Sequence, residues 1–290
     1  MKLINPSVEY ISQEEGVIPY KHIELCARTC YKSEDKMTVD SAKKFVDGLI
    51  MAGHLAMLEH GTVYLALPME TILPLEANDW GRYYHNPYSN SGTVCEINGQ
   101  KRVAATTNFR VLVENNWLDD LKYICKPTEY HKKRYTMKFI CDRGVSHELV
   151  RHRVFSFAQE SQRYCNYSKD KFDKHITFVR PTLCTDIGIL PNGIAAVREL
   201  DKTNWEFIHA LCDAESTYFN LLSEGWAPQQ ARSVLPNATK TEIIMTGFED
   251  DWKHFFDLRL RGTTGKPHPD MQHLAQLAWN EFRDKLGIEL

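Results

Sequence analysis

The chain has 290 residues, is 43% hydrophobic and 25% charged, and carries a formal net charge of -3 at pH 7 with a pI near 6.5. This composition supplies one large core or two modest ones and excludes a disordered chain. A slightly acidic chain also lacks the basic face needed to bind a long polyanion, so no nucleic-acid partner is expected, while a small phosphorylated ligand stays open.

In chain order, the opening MKLINPSVEYISQEEG is strand-like, and neither it nor any later stretch has the apolar length of a signal peptide or membrane span. A cytoplasmic protein with no membrane partner is expected. VIPYKHIELCARTCYKS reads as a helix closing on Lys32 and Ser33. Ser41 to Ala52 reads as a second, with Phe45, Leu49 and Ile50 on one side and Gly53 as its stop. GTVYLALPM and RYTMKFICD alternate with the period of a strand. The stretch between them, roughly residues 70 to 133, reads as an insertion decorating the core: a hairpin at Asn98-Gly99, then one or two short helices in NFRVLVENNWLDDLKYIC. Ser146 is the expected N-cap of a short helix running through SHELVRHRV into the irregular SFAQESQRYCNYS. ITFVRP is a strand and DKTNWEFIHALCDAESTYFNLLSEG a long helix stopped by Gly225. A helix around PQQARSVL, a strand TEIIMTG, a helix DDWKHFFDLRL, the loop RGTTGKPHP and a final helix DMQHLAQLAWNEFRDKL complete the chain. The fold class is mixed α/β, with helices outnumbering strands, and no linker divides residues 1-290 into separate domains.

The eight cysteines (Cys26, Cys30, Cys95, Cys125, Cys141, Cys165, Cys184, Cys212) contain no CxxC pair and read as reduced thiols. His54, Glu59 and His60 have the spacing H-x4-E-H, which is not the zinc-protease H-E-x-x-H, so no metal is expected. A hydrolase using these residues with His152 stays an alternative. Ser161 lacks a G-x-S-x-G elbow, and RGTTGKPHP lacks Walker A spacing. The densest candidate site is Arg151-His152-Arg153, followed after seven residues by Ser161 and then Arg163 and Tyr164. Guanidinium groups bind phosphate oxygens two at a time, so this cluster is either a phosphate wall or a solvated basic turn. If Arg151 and Arg153 were helical they would diverge, which suits two anionic ligands better than one.

The order RHR, seven residues, Ser resembles the hallmark of the flavin-dependent thymidylate synthases (the ThyX family). Further stretches are similar to that family's motifs: Gly53-His54-Leu55-Ala56-Met57-Leu58-Glu59-His60, Ala231-Arg232-Ser233-Val234-Leu235-Pro236, Asp257-Leu258-Arg259 and, more weakly, Ala27-Arg28-Thr29-Cys30-Tyr31. The resemblance covers the chain outside the insertion. It implies a ThyX-like fold, a central mixed or antiparallel sheet flanked by helices, and methylation of dUMP to dTMP. FAD would be the cofactor, NADPH the reductant and 5,10-methylenetetrahydrofolate the one-carbon donor, with no protein nucleophile. It also implies a homotetramer whose sites are shared between subunits.

By the same resemblance Arg259 is the catalytic residue that polarises the uracil. Glu148, Arg151, Gln159, Glu160, Ser161, Gln162, Arg163 and Arg259 would bind substrate, with Arg232 reaching it from a neighbouring subunit. His54, Ala56, Glu59, Arg151, His152, Arg153, Gln159 and His254 would hold the cofactor. The chain departs from the pattern in several places. Glu148 stands where the family usually has Gln, Ala158-Gln159 replaces Asn-Glu with Glu160 next door, and Phe248-Glu249-Asp250 replaces Asn-x-Arg. Ala56 and Met57 replace Ser/Thr and Pro. These changes keep open a second reading, a non-catalytic flavin- or nucleotide-binding homologue.

Overall fold

The computed structural model describes residues 1-69, 82-97, 99-196 and 202-289. The first half runs β1 (Lys2–Ile4), β2 (Ser7–Tyr10), α1 (Tyr20–Thr29), α2 (Ser41–Met51), β3 (Thr62–Pro68), β4 (Asn90–Ile97), β5 (Gln100–Asn108) and α3 (Phe109–Glu114). The second half begins β6 (Arg134–Asp142), α4 (Arg143–Leu149), β7 (Ser156–Gln159), β8 (Thr177–Val179), β9 (Gly188–Ile189) and β10 (Ala195–Ala196). It ends with α5 (Lys202–Ser223), α6 (Pro228–Ala231), β11 (Lys240–Phe248), α7 (Glu249–Phe256) and α8 (Pro269–Leu286). Among the described residues the α-helices together with the short 3-10 and π segments outnumber the strands, as expected, several strands being only two to four residues long. The class is mixed α/β.

The central sheet has the order β2-β6-β11-β7, with every pairing antiparallel. β6 and β11 pair along their whole length, from Asp142 opposite Lys240 to Arg134 opposite Phe248. Alternation then sends Met137, Phe139, Ile243 and Met245 to one face, where they pack with Trp252 and Phe255 of α7 and with α8. Burying such a side chain contributes about 1.5–3 kcal/mol, so this face anchors the fold. The opposite face receives Ile244, Ala158 of β7 and Cys26 of α1. β7 itself corrects the expectation of irregular chain after residue 155: SFAQ pairs with β11 from Ser156–Thr246 to Gln159–Ile243.

The stretch 70-133 is more than an appendage. β5 pairs with β3 from Asn108–Thr62 to Arg102–Pro68, and with β4 on its other side. Val63 and Leu65 of β3, with Ala105, Phe109 and Leu112, share a buried cluster with Ile23 of α1 and Val46 of α2. The hairpin therefore completes a three-stranded sheet; Asn98 lies outside the described residues, and Gly99 has the left-handed φ of +73° that its turn requires. A third cluster joins Leu3 and Phe178 of the parallel pair β1–β8 to Leu211 and Tyr218 of α5, the helix stopped by Gly225; Asp201 lies outside the described residues. Helix α1 ends at Thr29, earlier than expected, and Lys32 just beyond it has φ +50°.

Candidate functional site

The turn carrying Arg151-His152-Arg153 follows helix α4. That helix is capped by Asp142, whose Oδ1 accepts from the Val145 N–H at 2.8 Å, and Ser146 sits inside it with its hydroxyl donating to Arg143 O. This corrects the expected N-cap. Because the helix closes at Leu149, the 200° divergence of a helical Arg151 and Arg153 does not apply. Their side chains are exposed, while His152 and Phe155 point inward. The His152 ring meets Phe255 edge-on at 5.1 Å and Phe155 meets Trp252 at 4.8 Å. Room for Phe155 comes from Gly247 in β11, where an added Cβ would fall 2.4 Å from the phenyl ring. Two aromatic anchors thus hold the turn and leave its two arginines outside.

Arg259 reaches the same turn from far along the chain. Residues Asp257–Arg261 form a π-helical turn, closed by the Gly262 N–H on Asp257 O, and Gly262 ends it at φ +68°. From there the Arg259 Nε donates to His152 Nε2 at 2.9 Å, Nη1 to Glu148 Oε2 at 2.6 Å and Nη2 to the Glu148 carbonyl at 3.2 Å. A guanidinium can only donate, so His152 Nε2 must carry a lone pair and the ring's proton belongs on Nδ1. Burial, then the charges of Arg259 and His254, lower the His152 pKa to about 4, in agreement with that neutral tautomer. The carboxylate that departs from the family pattern is thus matched by the arginine expected to be catalytic.

The remaining signature residues divide between two sides. The Ser161 backbone N–H donates to Cys30 O, and the Tyr164 ring lies 5.3 Å from Tyr31, so the Ala27–Tyr31 motif meets the end of the signature. Arg163 is exposed and donates to Gln229 on α6, next to the half-buried Arg232. Gln159, in contrast, donates to Ser146 and Thr241, and Gln162 is buried with an Nε2 that has no partner among the described residues. Glu160 faces away from the arginines altogether. Its side chain is 2% exposed and pairs with Lys240 at 2.8 Å, and Lys240 also meets Glu242. Glu242 additionally holds Lys32 and Lys138, each at 2.8 Å. Burial alone would raise the Glu242 pKa, but Lys240, Lys32 and Lys138 outweigh it and hold the carboxyl far below its usual range. No periodicity or motif marks this cluster in the sequence; the shifted charge at Glu160 was its one trace.

The third stretch, residues 54-60, packs along β7 without entering the arginine turn. His54 and Ala56 are exposed, and Glu59 is taken by Arg110 at 2.5 Å. Arg110 lies in the stretch read as an insertion, where no pattern pointed to it. His60 is fully buried and begins a hydrogen-bonded chain: its Nδ1 meets Thr246 Oγ1 at 2.8 Å, Thr246 meets Thr136 at 2.8 Å and Thr136 meets His22 Nε2 at 3.1 Å. Burial first, then neighbouring positive charge, lowers His60 to about 3 and His22 to about 4. Both rings are neutral struts between sheet and motif. Among the described residues no set of three His, Cys, Asp or Glu side chains could hold a metal, and no cysteine is joined in a disulfide. His254 is exposed, one turn before Arg259.

A sequence model of the family described as "Thymidylate synthase complementing protein" matches residues 119-286, more than half of the chain. The chain belongs to this family. The family match starts within the stretch read as an insertion and contains Glu148, the arginine turn, Arg232 and Arg259. Relatives include a flavin-dependent thymidylate synthase of Pyrococcus furiosus, 37% identical over 41% of this chain and 43% of that protein. Another, from Mycobacteroides abscessus, is 38% identical over 40% of this chain and 45% of its own. A probable flavin-dependent thymidylate synthase of Paramecium bursaria Chlorella virus 1 is 31% identical over 49% of this chain and 63% of its own. The match thus spans less than half of the first two relatives' length. Among solved structures, a UMP/dUMP methylase of Streptomyces cacaoi covers 98% of this chain and 93% of its own at 16% identity and a TM-score of 0.45. Among the described residues no helix is long and apolar enough to cross a membrane.

Proposed function

We propose that this member of the family is a flavin-dependent thymidylate synthase, converting dUMP to dTMP with 5,10-methylenetetrahydrofolate as one-carbon donor and NADPH as reductant. The observation that carries this reading is the union of Glu148, His152 and Arg259, residues separated by up to 111 positions, around one guanidinium. A fixed cation there can stabilise the negative charge that develops on a pyrimidine carbonyl as its C5 becomes nucleophilic, and its geometry exists before substrate arrives.

The residues present also fit an anionic cofactor. Among the described residues Arg151, Arg153 and Arg232 have no carboxylate partner, and Arg163 meets only a neutral amide and the face of the Tyr164 ring. Unneutralised guanidinium groups around one turn suit the phosphates of dUMP and of FAD. Arg151 and Arg153 with the exposed His54 and His254 would hold FAD; Ser161 and Arg163, with Arg232 from a neighbouring subunit of a homotetramer, would hold dUMP. FAD, when bound, supplies the redox chemistry of the transfer. A thiol nucleophile is not needed, and the thiols near the signature are poorly suited to be one: burial raises Cys30 and Cys165 to about 11.

The test is purification followed by assay. The expected result is a yellow protein that oxidises NADPH and forms dTMP from dUMP and methylenetetrahydrofolate. Colourless protein that cannot be reconstituted with FAD overturns the reading, and FAD and dUMP binding without dTMP formation would favour the non-catalytic homologue.

A further inference from the structure

We propose that the cavity beside Arg134 binds a small oxyanion, a carboxylate or inorganic phosphate, and that the bound anion braces the junction where β3 departs and β6 returns. The cavity shares no lining residue with the arginine turn.

Arg134 opens β6 opposite Phe248, and its guanidinium lies 5.5 Å from the centre of that ring. Its Nη1 donates to Glu59 O at 3.1 Å and to Thr62 Oγ1 at 3.3 Å, so the side chain ties the start of β6 to the start of β3. The opposite edge, Nε and Nη2, has no partner among the described residues; Nε is sealed from water and Nη2 is not. That edge is the fork with which a guanidinium grips two oxygens of one carboxylate or phosphate. The acids whose charge reaches it are committed elsewhere, Glu59 Oε1 to Arg110 at 2.5 Å and Asp251 Oδ2 to the Phe248 N–H at 3.0 Å. Burial lowers the Arg134 pKa to about 10, which still leaves it charged at neutral pH. Water can fill a hydrogen-bonding gap at such a cation but cannot neutralise it, and a buried charge without a bonded counterion is costly.

The cavity at this edge measures about 120 Å³. That is room for about four water molecules and well short of the roughly 300 Å³ at which ligand pockets for larger molecules begin. Its lining adds donors. The Tyr10 and Tyr64 hydroxyls donate to nothing among the described residues, and burial raises both pKa values, so both keep their protons. Lys133 supplies a second cation with no carboxylate partner among the described residues. Glu15, exposed at the rim, is the one acid of the lining and pairs with neither cation. Two cations and two phenols against one carboxylate suit an anion, and the volume limits it to a small one. By neutralising the cation that ties β3 to β6, the anion would stabilise the folded chain in proportion to its occupancy.

Calorimetric titration of the whole chain with sodium acetate and with sodium phosphate, at constant ionic strength, tests this. One class of bound anion should weaken by about tenfold or more in Arg134→Met, the scale of one hydrogen bond to a charged group. Glu15→Gln should tighten the same class by about two- to threefold, the scale of one exposed charge across a small cavity. The unfolding midpoint should rise with anion concentration in wild type and stay level in Arg134→Met. Tighter acetate names a carboxylate ligand and tighter phosphate a phosphate. Glu15 has no hydrogen bond or ion pair among the described residues, so its variant decides the matter where Arg134→Met fails to fold. Wild type that binds neither anion, or affinities that neither variant moves, overturns the site; any anion detected would then belong to the arginine turn.

Discussion

Lys32, Lys138 and Lys240 crowd around Glu160 and Glu242 at the start of β11, whereas Arg151, Arg153 and Arg232 stand around the signature turn with no carboxylate among the described residues. Both groups flank the same run of chain from residue 151 to 163, and the fold has used their charges in opposite ways. The lysine cluster is satisfied internally: its carboxylates are buried and each has a partner, so it serves the fold. The arginines have no comparable partner among the described residues, so their charge is left for the phosphate contacts of the proposed function. Arg259 stands between the two cases, paired with one carboxylate yet with two N–H groups that have no partner among the described residues. Pairing, more than the mere presence of a cation, separates a structural charge from a binding one.

Removing Glu242 should strike the structural side hardest. Glu242→Leu leaves three lysines around a buried space, and breaking such a network costs about 3–5 kcal/mol; urea unfolding with an unchanged midpoint would show that the cluster is not structural. Arg259→Ala should reduce dTMP formation by about 100- to 1000-fold, the scale for losing a preorganised donor, while FAD stays bound; wild-type turnover in that variant would remove Arg259 from the proposed chemistry. Arg163→Ala should do the reverse of the Glu242 variant. Its dUMP affinity is expected to fall by about 1.5–3 kcal/mol with stability held within about 0.5 kcal/mol, and a destabilised variant with unaltered dUMP binding would place Arg163 on the structural side.

The gentlest probe is pH. His22, His60 and His152 have folded values lowered to about 4, 3 and 4, below the 6.5 of the free side chain. The unfolded chain therefore binds more protons than the folded one as pH falls below 6.5, and stability must decline through that window. Each histidine contributes up to about 1.4 kcal/mol per pH unit, with His22 and His152 saturating near 4. Melting temperatures that stay level from pH 7 to 5 would mean that these rings are charged in the folded state.

Much of this was legible in the sequence because it depended on local patterns. β3, β6 and β11 follow from alternation in GTVYLALPM, RYTMKFICD and TEIIMTG, and the RHR-to-Ser161 spacing singled out the turn on which Arg151 and Arg153 are exposed. What escaped was decided by longer-range relations. SFAQ is too short and too polar to read as a strand, and becomes one only because β11 offers it an edge. Ser146 looked like the cap because Asp142 read as the end of a strand, although one residue can end a strand and cap the next helix. Glu148 could be flagged as a misplaced charge, but its partner lies 111 residues away. The hairpin before residue 119 had no visible destination until β3 was seen beside it.

The π turn at Asp257–Arg261 makes chain length a functional variable. Such a turn holds more backbone per revolution than an α-helix, so the direction in which residue 259 leaves α7 depends on how many residues the turn contains, whatever they are. Deleting Leu258 would let the segment close as ordinary helix and swing the downstream chain by about 100° per residue lost, carrying the arginine away from His152 with its side chain unchanged. A substitution scan would find the arginine but not this constraint. Insertions and deletions are the changes to which this corner of the molecule is least tolerant.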